Sequence, residues 1–203
     1  MKVLDKGGII SAIIIGVIIV LFGGWGYLGY MFVFLFLGMV VTRYEHDVKR
    51  KMGLYEHERG MENVLSNGLG PMVFAIISPF FGPGPFISSI AAITSDTFAS
   101  EVGVLGKGKP LYLGDMKPAR AGKSGAVSIM GTIASAVGAM LIGATTIFIF
   151  DFNPLQAFII GFAGFMGSAA DTFLGIAEEN GIGTKGTTNF ICSIVGGLIG
   201  FFV

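Results

Sequence analysis

The sequence predicts an all-α fold, a polytopic bundle of about seven transmembrane helices forming one domain over residues 1–203. Three observations predict it. The chain is 53% hydrophobic and only 13% charged, with 33 glycines and 19 phenylalanines, an excess foreign to water-soluble domains. Apolar runs long enough to cross a hydrocarbon core of about 30 Å recur from one end to the other. Lysine and arginine occur only in alternate connections between those runs.

The spans read, in order, 7–23, 26–42, 62–80, 86–104, 125–150, 155–177 and 186–203. The opening "MKVLDKGGIISAIIIGVIIVLFGG" lacks a small-x-small cleavage site and runs straight into a second apolar stretch, so it reads as a retained span. The first two spans, joined by "GGWGY", carry no polar stripe and read as a peripheral hairpin over 1–43, with residues 62–203 as the helix core. The charged stretch 43–61 holds His46 and His57 with Glu45, Asp47, Glu56 and Glu58, which read as a solvated surface. Asn63, Asn67 and Gly70 share one face of the third span, and Ser89, Ala92, Asp96, Ser100 and Gly103 one face of the fourth. Ser128, Gly131, Thr132, Ser135 and Ala139 do so on the fifth. Gly164, Gly167, Ser168, Asp171, Gly175 and Glu178 do so on the sixth, and Lys185, Asn189, Ser193, Gly196 and Gly200 on the seventh. Small residues at this spacing let membrane helices pack closely. The single Cys192 excludes an intrachain disulfide and any CxxC metal site.

If the N-terminus is inside, the inner segments hold Lys2 and Lys6, then Arg43, Lys49, Arg50, Lys51 and Arg59, then Lys107, Lys109, Lys117, Arg120 and Lys123, and finally Lys185. That is all 13 basic residues, so the positive-inside rule predicts a multi-pass plasma-membrane protein with a cytoplasmic N-terminus.

Packing does not require carboxylates, and an acid inside a membrane segment marks a functional site. "SDTF" at 95–98 is echoed by "ADTF" at 170–173, on spans running in the same direction, which suggests a duplication of helix pairs 3–4 and 5–6. Two such acids facing one cavity repel unless a cation lies between them, and Mg²⁺ suits oxygen ligands together with phosphate. Glu101 stands five residues after Asp96, hence about 140° around a regular helix. Either the helix breaks near Ala99 or Glu101 has another partner, such as Lys107. The inner segment "GVLGKGKPLYLGDMKPARAGKSG" places five basic residues among glycines, a composition that cradles phosphates. "GKS" at 122–124 is not a P-loop, because Lys117 stands where that pattern needs glycine. A polyanion cradle beside membrane carboxylates suits phosphates on a hydrophobic chain.

"DTFASEVGVLGKGKP" and "KPARAGKSGAVS" resemble the motif of CTP-dependent membrane enzymes, the polyprenol and dolichol kinases and the phosphatidate cytidylyltransferases. The matched positions are Asp96, Ala99, Gly103, Lys107 and Lys117, with Gly106 one position early and Gly125 more loosely spaced. A closer likeness covers nearly all of residues 55–200. "ERGMENVLSNG", "SDTFASEVG", "GKSGAVSIMGTIASAVGA", "GFMGSAADTFLG" and "TTNF" resemble the prenyl-phosphate kinase family of integral membrane proteins, whose plant members phosphorylate phytyl phosphate. The resemblance implies a CTP-dependent, Mg²⁺-assisted kinase converting a prenyl monophosphate to the diphosphate at the cytoplasmic face. It implies Asp96, Asp171 and Glu101 as catalytic acids at the metal, with Lys117 as a catalytic cation. Asn63, Asn67 and Asn189 would hold phosphate or metal-bound water, and Ser100, Lys107, Arg120, Lys123 and Ser128 the nucleotide side. Lys117, Arg120 and Lys123 would clamp the triphosphate, and the glycine seams would leave a groove for the prenyl tail. The partners implied are CTP, the prenyl lipid and the membrane, not nucleic acid, with self-association left open. Two other readings stand beside it. One is a cytidylyltransferase making a CDP-lipid; the other is an ion-coupled transporter with Asp96 and Asp171 as its carrier site, which leaves the basic loop unexplained.

Overall fold

Asp5 starts the first helix by accepting the Gly8 N–H, and an apolar run then carries α1 from Lys6 to Arg43. In this computed structural model, which describes residues 4–54 and 60–203, α1 is not a straight rod. Gly24 takes φ 77° and ψ −176°, a backbone state open to glycine alone at low cost. The chain folds back there: Leu28 Cδ1 comes 3.5 Å from the position of a Cβ on Gly16, where a straight helix would separate the two residues by about 18 Å. A short helix α2 (His46–Lys51) follows. Lys2, Glu56, His57, Glu58 and Arg59 lie outside the described residues.

Four more long helices and a shorter one complete the bundle. They are α3 (Met61–Phe81), α4 (Gly84–Gly103), α5 (Ile129–Ile149), α6 (Pro154–Glu179) and α7 (Lys185–Ile199), the last running into a 3₁₀ turn at Gly200–Phe202. Ser128 caps α5 by accepting the Gly131 N–H. Asn153 and Gln156 form a reciprocal capping box on α6, and Thr184 caps α7 through the Thr187 N–H. The segments agree with the sequence-predicted spans to within a few residues, apart from the start of the fifth. The polar connection contains a small antiparallel sheet of β1 (Leu111–Tyr112), β2 (Lys117–Pro118) and β3 (Ala126–Val127), ordered β2-β1-β3. Residues 126–127 therefore pair as a strand, and α5 begins only at Ile129.

Helix α4 is the axis of the molecule. Every residue from Gly84 to Asp96 is buried, and α1, α3, α5, α6 and α7 all pack on it. The interior is polar where a soluble core would be oily: Ser88, Ser89, Thr94, Ser95, Ser135, Ser168 and Ser193 are buried, and Ser95 Oγ donates to the Ser135 carbonyl at 2.9 Å. Large apolar side chains such as Leu21, Trp25, Phe80, Phe148 and Leu155 face outward, as expected of a chain solvated by lipid. Among the described residues four helices, α1, α3, α5 and α6, are long and apolar enough to cross a membrane. Two of the predicted spans fall short of that measure. α7 has only 15 residues, and α4 spends its sequence on the buried serines, threonines and acids of the axis.

Glycine seams close the bundle rather than leave it open. A Cβ on Gly164 would sit 2.6 Å from Ala91 Cβ, and one on Gly167 or Gly196 2.6 Å from Ala92 Cβ. At these positions α6 and α7 lie directly against α4, with no groove for a lipid tail. The ends of the bundle differ in character. At one end meet the last turns of α4 and α6, the first residues of α3, α5 and α7, and the sheet. The other end holds the turn at Gly24, the short α3–α4 and α5–α6 connections and an aromatic cluster in which Tyr27 stacks on Phe86 with centroids 4.3 Å apart.

Candidate functional site

The two echoed motifs converge at the basic end. Asp96 lies seven residues before the end of α4 and Asp171 eight before the end of α6, and both are buried. Between them comes Lys185, the first residue of α7. Its ammonium donates to Asp171 Oδ2 at 2.9 Å and stands 3.9 Å from Asp96 Oδ2. The lysine side chain is 48% exposed, so its charge reaches the pair from the solvent side. Asp171 Oδ1 and Asn189 Oδ1, one turn further along α7, are buried and have no hydrogen-bond partner among the described residues.

Asp96, Asp171 and Lys185 line the floor of a cavity of about 510 Å³. The loop "GKSG" at 122–125 also lines it, held against α6 by close backbone contact. Gly122 and Gly125 have φ of 80° and 72°, and a Cβ on Gly175 would come 2.4 Å from the Gly125 nitrogen. Only two glycines allow that approach of loop to helix. Ser124 then ties the loop to the end of α6: its Oγ donates to Glu178 Oε1 at 3.0 Å and its N–H to Glu179 Oε1 at 3.2 Å. Lys123, also on the cavity wall, places its ammonium 3.4 Å from the ring centroid of Tyr112, so the small sheet supports the loop's cation. Ser100 and Ser128 complete the lining, with Ser128 Oγ donating to the Gly103 carbonyl at 3.2 Å.

Chemically, the cavity offers an acidic floor (Asp96, Asp171, Glu178), two ammonium groups and glycine-rich backbone. Among the described residues no group of three His, Cys, Asp or Glu side chains forms a ready-made metal site. Mg²⁺ binds through one or two carboxylates while keeping water or phosphate oxygens, and the donor set fits that mode because Asp171 Oδ1 has no other partner.

Of the sequence-predicted residues, the structure brings Asp96, Asp171, Ser100, Lys123 and Ser128 into this cavity, with Asn189 following Lys185 on α7. Others lie elsewhere. Helix α4 runs unbroken past Ala99, so Glu101 points away from Asp96 and pairs with Lys49 at 2.7 Å, while also accepting from Thr42 Oγ1 at 2.8 Å. Lys107, the partner suggested by sequence, lines a separate cavity between α4 and α5. Lys117 is exposed beside Asp115 at 3.7 Å, and Arg120 is exposed as well; neither lines the acidic cavity. Asn63 and Asn67 border an apolar cavity enclosed by α1, with Asn67 Nδ2 donating to the Asn63 carbonyl at 2.9 Å. Lys185 and Glu178 are site residues that sequence counts only as a cytoplasmic charge and as members of helical stripes. The signal present was their sharing of a face with Asn189 and Asp171 respectively.

The integral membrane protein family DUF92 matches residues 1–195. An uncharacterized membrane protein of Methanocaldococcus jannaschii is 38% identical over 207 residues, spanning 100% of this chain and 86% of its own length. A second, from Synechocystis, is 34% identical over 145 residues, 66% of this chain and 55% of its own. Protein VTE6, chloroplastic, of Arabidopsis thaliana is 24% identical over 215 residues, 98% of this chain and 64% of its own. No solved structure matches the chain.

Proposed function

For a chain that belongs to the DUF92 family of integral membrane proteins, we propose a nucleotide-dependent prenyl-phosphate kinase whose active site is the cavity between Asp96, Asp171, Lys185 and the 122–125 loop. The observation that carries the proposal is the pairing of two buried carboxylates with two lysines in one cavity at the basic end of a membrane bundle. The five motifs that resemble prenyl-phosphate kinases support it. So does the likeness to a plant chloroplast protein over 98% of this chain.

In this reading an oxygen of the prenyl monophosphate attacks the γ-phosphorus of CTP, and the bond from that phosphorus to the bridging oxygen of CDP breaks. The acceptor has a second pKa near 6 and is largely dianionic at neutral pH, so no strong base is required. The need is for alignment and charge neutralisation. Lys123 and Lys185 both line the cavity, where their ammonium groups would neutralise phosphate oxygens. Ser100 and Ser128 offer hydroxyls, and Asp96 and Asp171 would hold Mg²⁺, with Asn189 following Lys185 on α7. When bound, Mg²⁺ supplies charge stabilisation to the transferring phosphoryl group.

The test compares γ-labelled with α-labelled CTP, using detergent-purified protein, Mg²⁺ and a prenyl monophosphate. Label entering the lipid only from the γ position is the expected outcome. Label from the α position would make the chain a cytidylyltransferase. No lipid labelling from CTP or any other triphosphate would favour the transporter.

A further inference from the structure

Besides the acidic cavity, the described residues enclose further cavities large enough for a lipid chain. One, about 520 Å³, lies within the fold of α1 against α3. Its walls are almost wholly apolar, it has no cation among the described residues that line it, and it shares no lining residue with the acidic cavity. Another, about 690 Å³, is a groove between α4 and α5, with Phe98 and Val102 on one side and Ile133 and Val137 on the other. Ile133 is 60% and Val137 48% exposed, so the groove opens toward lipid. At the basic end it meets Lys107 and Lys109, on either side of Gly108. Val127 and Ser128 line both this groove and the acidic cavity, so the two share a wall where β3 leads into α5.

We infer that this α4–α5 groove holds the apolar tail of the lipid monophosphate, with Lys107 and Lys109 at the phosphate where the groove borders the acidic cavity at Ser128. The inference rests on the kinase reading and assigns its acceptor subsite. A lipid monophosphate is an apolar chain ending in two negative charges, and the groove is an apolar wall ending in two ammonium groups. Neither feature would select it alone, since exposed apolar side chains are the rule on a membrane helix. The combination, together with the shared edge at Ser128, distinguishes the groove from the α1 cavity. It also gives Lys107 a place in the site on the acceptor side, at a distance from the carboxylates.

The experiment is photo-crosslinking of the purified protein with a geranylgeranyl monophosphate carrying a diazirine in its tail, with the attachment sites mapped by mass spectrometry. The expected result is label on the segments around Phe98–Val102 and Ile133–Val137, displaced by unlabelled geranylgeranyl monophosphate. Displaceable label on α1, near Ile13, Val17 or Leu28, would overturn the placement and leave the kinase reading intact. Absence of any displaceable label would overturn both. The kinetic counterpart is Ile133→Trp, a surface position where a larger ring fills the groove without entering the core. It should raise KM for the lipid about tenfold and leave KM for the nucleotide unchanged. Val17→Trp in the α1 cavity should change neither, and the reverse pattern would refute the placement.

Discussion

Lys185 brings one positive charge to two buried carboxylates, and Glu178 adds a third acid to the same cavity, so the cluster keeps an excess of negative charge. Such an excess is costly in a membrane interior unless a cation completes it. The unpartnered Asp171 Oδ1 marks where the balance is incomplete. Asparagine matches aspartate in size but removes the charge, so Asp171→Asn tests the charge with little change in packing. If these groups act on a transferring phosphoryl group, Asp171→Asn or Asp96→Asn should lower kcat by about 10³-fold, and Lys185→Met by about 10²-fold. Labelled-CTP turnover would measure the loss, with far-UV circular dichroism and elution volume unchanged. Retention of full turnover by either aspartate variant would remove that residue from the site.

Between elements, a buried polar contact clamps α2 onto α1 and α4. Lys49 is 1% exposed and donates to the carbonyls of Val41 and Thr42 at 2.9 and 2.8 Å as well as to Glu101. These two carbonyls lie in the last turn of α1, so one ammonium both caps that helix and fastens it to α4. Removal of one partner from a buried pair leaves the other charge uncompensated, and Lys49→Met should cost about 3 kcal/mol, read as a fall in melting temperature in detergent. The double variant Lys49→Met, Glu101→Met should recover most of that loss and keep turnover within a few-fold of wild type. A stable double variant without activity would return Glu101 to the catalytic set. Glu101 also shows the limit of sequence reading. The 140° separation from Asp96 already rules out a shared face on an unbroken helix, but choosing Lys49 over Lys107 requires the tertiary path of α2. The helices themselves were legible because hydrophobic runs and caps such as Ser128 and Asn153 are local signals. The sheet was not, because its two-residue strands carry no periodicity, and the start of the fifth span was displaced with it. Asp96 and Asp171 were legible as a pair through their repeated motif. Lys185 was not, since a lysine at a helix start looks the same whether it faces solvent or two carboxylates.

At the scale of the whole molecule, the described residues divide sharply by charge. All eleven described lysines and arginines lie at the end that contains the acidic cavity, and the opposite end carries none. Moving Lys or Arg through a bilayer costs about 2.5–3.5 kcal/mol each on insertion scales, so the distribution favours a single orientation with the cavity facing the cytoplasm. That orientation is also a condition of the kinase reading, because the nucleotide must reach Asp96 and Asp171 from the cytoplasm. Cys192, the sole cysteine, is fully buried, which makes single-cysteine labelling direct in a Cys192→Ala background. Asp115→Cys reports the tip of the small sheet at the basic end, and Phe202→Cys, an 82% exposed position, reports the other end. With a membrane-impermeant maleimide, Phe202→Cys should react in intact cells and Asp115→Cys only after permeabilisation. The reverse pattern would turn the cavity outward, away from the nucleotide pool. The kinase reading would then fail whatever the geometry of the carboxylates, and the transporter would regain its claim on them.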